Sequence, residues 1–403
     1  MTQPRPSDAA AVCLSNFIEA VGKRVWTKRL VDLRARCRTG QRAARVLAQR
    51  YAIELTLDRL RGAEAGTANG PAERAILRIA AEAVRTWRRL DKLGRDRMRA
   101  AMVAALSGDE TLVGLFHMFR VACLQRARGF DVDYAGFVSG APFDLLIARD
   151  GIEAEVSCDV LSAEEGRDVH RGAWVQLIDR IDPDLQTWLA DHPGRYLLKL
   201  TLPQGLRADR DDAQTLSVLH TRIRTMLEGS RRADYDEAAV LRLDPLMLAA
   251  AQASELGLMS SLRREFGHQA HLAVTSAGQG VFVMAARAGR EDEIAIALRR
   301  RLAAVAPARL TGTRPGILAM FVEDTDKVEW RHLRDQLELE GEARHFLTHP
   351  EARPVVAVTC SSRFELFDVP PPDAAEEGEL RFRNPSHPAA KTAALAPAVL
   401  SSL

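Results

Sequence analysis

Ile152-Glu153-Ala154-Glu155-Val156-Ser157-Cys158-Asp159-Val160 is the stretch on which the fold turns. Its apolar and polar residues alternate without a break. The run therefore predicts a strand with Ile152, Ala154, Val156, Cys158 and Val160 on one face and Glu153, Glu155, Ser157 and Asp159 on the other. Just upstream, Asp150-Gly151 is a hairpin signal, and residues 143–149 read as the partner strand. Asp144 interrupts the apolar run of that partner, so two adjacent strands would offer several carboxylates from one face. Hard divalent cations take oxygen ligands, and a metal held there would polarise a phosphate and acidify its bound water.

Working outward, Ser107-Gly108-Asp109-Glu110 predicts a capping box, with Ser107 as N-cap and Glu110 at the third helical position. The helix it opens carries Leu112, Phe116, Phe119 and Cys123 on one face and ends at Arg128-Gly129. A strand over 130–138 and a turn at Ser139-Gly140-Ala141-Pro142 follow. Beyond the central strand, a helix from about 163 to 189 places His170, Trp174, Leu177, Ile178 and Ile181 inward. Residues 196–202 then form a strand apolar enough to be central. The order is helix, three strands, helix, strand.

That order over residues 107–203 resembles the αβββαβ core of the PD-(D/E)XK nuclease superfamily, the restriction-endonuclease-like fold. Ala141-Pro142-Phe143-Asp144 resembles the first family motif with one residue inserted between Pro and Asp. Glu155-Val156-Ser157 stands in the place of Glu-x-Lys, and Glu110 resembles the extra acidic residue many members carry on the first helix. The stretch from Leu161 to Arg171 is similar to the start of the second helix in bacterial restriction-endonuclease-like proteins. Ser157 replaces the family lysine. A second register puts Ser157 at the family glutamate and Asp159 at the lysine, and both registers stay open. The resemblance implies Mg2+ or Mn2+ held by Glu110, Asp144, Glu155 and Asp159. Arg167, His170 or Arg171 would supply the displaced positive charge, since members of the superfamily move the lysine. The implied catalytic set is Asp144, Glu155, Ser157, Asp159, Arg167, His170 and Arg171. The implied activity is phosphodiester hydrolysis in DNA; the alternative is a catalytically inactive nuclease-fold protein that binds DNA or a protein.

Charge is unevenly distributed. Residues 1–105 carry 22 Lys and Arg against 10 Asp and Glu, whereas the rest carries 34 against 44. A basic part joined to an acidic one suits contact with a polyanion, with a protein partner through the C-terminal half, or with the chain's own acidic portion. Lys23, Arg24, Lys28, Arg29, Arg34, Arg38, Arg88 and Arg89 are the candidate phosphate contacts, and a merely solvated helix face explains the same charges. Residues 1–105 are expected as a basic helical domain, 106–210 as the nuclease-like core, 211–369 as an α/β extension, and 370–403 as a disordered tail. The fold class is α/β: an αβββαβ mixed-sheet core, an N-terminal helical domain and a C-terminal α/β extension.

Other signals narrow the class. Five cysteines, scattered and never in Cys-x-x-Cys, argue against a disulfide framework or a cysteine zinc site. The N-terminus lacks the order of a signal peptide and no run is long enough to span a bilayer, so a cytoplasmic, non-membrane protein is expected. His268-x-x-His271 and His345-x-x-x-His349 have metal-compatible spacing but no acidic third ligand at a recognisable offset. Ser276-Ala277-Gly278-Gln279-Gly280 lacks the Lys-Ser/Thr of a phosphate loop and reads as a hairpin turn.

Overall fold

The computed structural model describes residues 6–38, 40–62, 70–207, 212–246, 255–267 and 269–402. The chain opens with helices α1 (Pro6–Val21), α2 (Lys23–Arg36), α3 (Gln41–Arg50), α4 (Ala52–Gly62), α5 (Pro71–Arg89) and α6 (Lys92–Ala105). Pro71 begins α5, where its missing N–H costs no helical bond, and Asp91 caps α6 by accepting from the Gly94 N–H at 2.7 Å. Next come α7 (Val113–Ala127), β1 (Asp131–Asp133), the short α8 (Ala135–Val138), β2 (Leu145–Arg149) and β3 (Ile152–Ser162). Asp150 and Gly151 join β2 to β3 with φ of 50° and 77°, the type I′ geometry that suits two right-twisted strands.

Then follow α9 (Arg171–Asp191), β4 (Arg195–Leu202), α10 (Asp212–Glu228), β5 (Ala233–Tyr235) and β6 (Val240–Pro245). After them come α11 (Glu255–Phe266), β7 (His271–Ala277) and β8 (Gly280–Ala288). The last part holds α12 (Ile294–Arg309), β9 (Gly316–Glu323), α13 (Lys327–Asp335) and α14 (Glu338–Phe346). It closes with β10 (Val355–Ser362), α15 (Arg363–Leu366), β11 (Leu380–Arg383) and α16 (Ala396–Val399). The fold is mixed α/β with two mixed sheets.

Two compact units divide the chain. The first is Met1–Ala35, Ala48–Ala163 and Ala295–Leu403; the second is Arg36–Leu47 and Glu164–Ile294. In the first, the sheet order is β1-β2-β3-β9-β10-β11. β1, β2 and β3 form an antiparallel meander, β9 and β10 add in parallel, and β11 closes the edge antiparallel. β9 is apolar from Ile317 to Val322 and buried throughout, the pattern of a parallel strand covered on both faces. In the second unit the order is β5-β6-β4-β8-β7, with β4 and β8 parallel and the other pairs antiparallel. Leu198, Leu200 and Leu202 face the α9 and α10 side, and Leu197 packs with Leu258 and Leu262 of α11.

Four expectations change. Residues 1–105 do not have a core of their own: Phe17, Trp26, Leu57, Ile76 and Met98 share one with Phe116, Leu145, Val156, Ile317 and Val356. The 163–189 helix and the 196–202 strand belong to the second unit, and the helix and strand that follow β3 in the first unit are α12 and β9. An inserted segment of similar helix-then-strand order passes for the core's own continuation. Residues 130–138 hold only a short strand before α8, since Tyr134–Val138 turn helical. The segment from Pro370 is ordered, because Leu395, Ala398 and Val399 have apolar surface to bury and join the first unit's core. No helix among the described residues is long and apolar enough to cross a membrane.

Candidate functional site

The acidic face of β3 assembles as the alternation requires. Ala154 and Val156 enter the main core, while Glu155 and Ser157 are fully buried on the opposite face. Asp144 immediately precedes β2, one residue before the Leu145–Val156 pair, so it lies on the same face as Glu155 and Ser157. Its own N–H donates to the Val156 carbonyl at 3.0 Å, and its Oδ2 accepts from the Cys158 N–H at 2.7 Å.

Each carboxylate has a dedicated partner. Arg309 Nη2 donates to Asp144 Oδ1 at 2.8 Å, and burial nevertheless leaves the Asp144 carboxyl raised above its ordinary value. Asp159 takes both Nε and Nη2 of Arg301, the latter at 3.0 Å, as a fork. Glu155 accepts from the Thr311 N–H at 2.8 Å and from the Thr311 hydroxyl, with Arg314 Nη1 at 3.7 Å. Ser157 Oγ is buried with no hydrogen-bond partner. Arg301 and Arg309 lie eight residues apart on α12, about 12 Å of helix rise.

This face does not fit a divalent cation as it stands. Among the described residues no three His, Cys, Asp or Glu side chains form a metal-binding group. A dication at Asp144 or Asp159 would also meet the guanidinium already there. Glu110 is exposed in the turn before α7. The capping box does not form: Ser107 Oγ turns back to the Val103 carbonyl at 2.7 Å, and α7 begins only at Val113. The reason is a clamp: Arg29 donates to the Gly108 carbonyl at 2.8 Å and to the Glu110 carbonyl, fixing the turn in place of a helix start.

Arg167, His170 and Arg171 belong to the second unit. Arg167 is buried and pairs with Glu164 at 2.7 Å, His170 is the N-cap residue of α9, and the Arg171 N–H donates to Glu164 at 3.0 Å. His268 lies outside the described residues. The His345 and His349 rings lie 5.1 Å apart edge to face, and His345 meets Arg299.

The basic candidates divide. Arg29 is buried and faces Glu54 at 3.5 Å, so it holds the fold instead of facing solvent. Arg34 is engaged by Asp58, and Arg38 is exposed in the second unit. Lys23, Arg24 and Lys28 on α2, and Arg88 and Arg89 at the end of α5, are exposed without an ion pair among the described residues, as is Lys92 at the start of α6. Arg99 draws these ends together: its Nε donates to the Ala20 carbonyl at 3.0 Å, and its guanidinium lies 4.9 Å over the Trp87 ring. Arg95 adds bonds to the carbonyls of Trp87 and Arg88.

Sequence reasoning missed Arg301, Arg309, Thr311 and Arg314, although the dense arginines of 299–314 carried the signal. It also missed an acidic cluster at the carboxyl ends of β3 and β9. There Arg50 and Ser162 hold Asp324 at 2.8 and 2.7 Å, Thr111 meets Glu323 at 3.3 Å, and the Glu54 Oε2 is buried without a partner. Burial, then the neighbouring Asp324 charge, pushes the Glu323 carboxyl well up. Compared with family models, curated proteins and solved structures, the chain matches none of them.

Proposed function

We propose that the chain is a nuclease-fold protein that binds duplex DNA through its N-terminal helices and does not hydrolyse it. The fold reading is supported by the succession α7, β1, β2, β3, α12 and β9, with an antiparallel meander and a parallel fourth strand, the order of an αβββαβ core once the second unit is set aside. The observation that carries the binding is the set of six exposed cations without ion pairs among the described residues, Lys23, Arg24, Lys28, Arg88, Arg89 and Lys92, on helices whose ends Arg99 ties together through the Ala20 carbonyl and the Trp87 ring. Exposed cations with no carboxylate partner are what counterion release requires. The loss of hydrolysis rests on the arginine held by Asp144, the arginine held by Asp159, and Ser157 in place of lysine.

A hydrolytic reading draws on the convergence of Asp144, Glu155 and Asp159 on one sheet face, and it requires α12 to release both arginines. The test is anisotropy of a labelled duplex together with plasmid incubation in Mn2+. The expected result is duplex binding, abolished in Lys23→Glu/Arg88→Glu, and no nicking. Nicking that disappears in Asp144→Ala/Glu155→Ala would establish the enzyme instead, and absence of duplex binding at low salt would sink the DNA reading.

A further inference from the structure

Among the described residues, the sheet of the second unit is covered on one face by α9 and α10, and α11 covers part of the other. The strand registers show what the remainder displays. Tyr235 pairs with Val240, Val240 with Thr201, and Thr201 with Arg287, forming one row across β5, β6, β4 and β8. The next row on the same face is Ala233, Arg242, Lys199 and Ala285. Ala233, Tyr235, Val240, Arg242 and Arg287 are exposed, Tyr235 at 80% and Val240 at 43%, whereas Lys199 and Thr201 are half-buried and Ala285 is buried. Beside them, Lys199, Thr201, Arg242, Phe266 and Arg287 line a cavity of about 470 Å3. Phe266 closes α11, and its ring lies 5.8 Å from Lys199 Nζ.

The chemistry of this face is specific. Arg242 and Lys199 share the single carboxylate of Asp244, at 2.9 and 3.3 Å, and Arg287 makes no ion pair among the described residues. Three cations stand against Asp244 and the Glu265 that borders the cavity. Aromatic rings at two places on a flat, net positive surface are the arrangement that stacks bases and pairs phosphates. Tyr235 and Arg287 lie three strand spacings apart, about 14 Å, further than one nucleotide reaches. The Tyr235 ring is open to a planar partner, and Lys199, Arg242 and Arg287 favour one that carries phosphate.

We infer that this face binds a single-stranded nucleic acid, with a base stacked on Tyr235 and backbone phosphates on Arg242, Lys199 and Arg287. This surface uses none of the N-terminal cations assigned to duplex binding, so either can fail without the other.

The test uses the full-length chain and labelled oligo-dT and oligo-U of about 15 nucleotides, a length within the usual range of such sites. Anisotropy should report binding of at least one strand, the tighter of the two identifying the preferred sugar. Tyr235→Ala and Arg287→Ala should each weaken it about tenfold or more, while duplex binding is unchanged. Both side chains are exposed, so neither variant threatens folding. Lys23→Glu/Arg88→Glu should leave single-strand binding intact. The inference is overturned if neither strand binds at low salt, if both variants bind like the wild type, or if UMP competes as well as the strand at equal nucleotide concentration.

Discussion

Replacing Glu54 by Gln should make the protein more stable at pH 8 than at pH 5, relative to the wild type. Glu54 sits on α4 with no solvent exposure. Its Oε1 has only the Leu112 N–H at 3.4 Å and Arg29 at 3.5 Å, and Oε2 has no partner. Burial, the largest influence, raises its pKa from 4.5 to about 7 against the opposing pull of Arg29. Between those values the folded state holds a proton that the unfolded chain has released, so folding stability falls as pH rises from 4.5 to 7 and is flat beyond. The full displacement corresponds to about 3 kcal/mol at pH 8 and less than about 1 kcal/mol at pH 5. Gln fills the same space and never ionises. The stability of Glu54→Gln minus wild type should therefore increase by roughly 2–3 kcal/mol between pH 5 and pH 8. The attraction of Arg29 for ionised Glu54 is already contained in that pKa, so exchanging the neutral carboxyl for an amide adds only an offset that does not change with pH. Urea unfolding followed by fluorescence of the buried Trp26 and Trp330 measures the difference directly. Curves whose separation is the same at both pH values would refute the raised carboxyl and with it the account of the Glu54 environment.

Two further outcomes follow from the same structure. Six cations on α2, α5 and α6, unpaired among the described residues, predict a log–log salt slope of about −5 for duplex binding, or roughly a 10^3-fold loss of affinity from about 50 to 200 mM salt; a slope near zero, read by anisotropy, would exclude phosphate contact there. Arg309→Met leaves Asp144 with only the Cys158 N–H and should cost about 1–2 kcal/mol at neutral pH after allowance for the partial exposure of the pair. That cost should shrink as acid protonates Asp144, and Asp144→Asn should recover part of it in urea melts.

The parts of the fold legible in sequence were those set by short-range chemistry. Asp150-Gly151 demanded a two-residue turn, and the turn fixed the register that brings Asp144 beside Glu155 and Ser157. The alternation of 152–160 placed four polar side chains on one face before any contact was known. What covers that face was not legible, because α12 lies more than a hundred residues downstream and arginines on a helix look like surface until a buried carboxylate meets them. The assignment of 196–202 to the core failed for a related reason. β4 and β9 are both apolar strands after helices, and the discriminating feature was the unbroken apolar run of 317–322 against the Lys199 and Thr201 that interrupt β4. Ser107 and Glu110 satisfied a local capping rule that Arg29 overrode from 79 residues away.

The placement of the second unit in the chain also sets a timetable for synthesis. β3 takes its parallel neighbour from β9, and roughly 150 residues must leave the ribosome between them, about 10–30 s at ordinary elongation rates. For that interval the nascent meander has an open hydrogen-bonding edge, the kind of surface that recruits other chains. Glu153, Glu155 and Asp159 lie along that edge, and until Arg314, Thr311 and Arg301 emerge their charges have no counterpart from α12 or the turn after it. The carboxylates that Arg301 and the turn after α12 later engage thus first act as guards, keeping a waiting strand soluble by repelling its own kind.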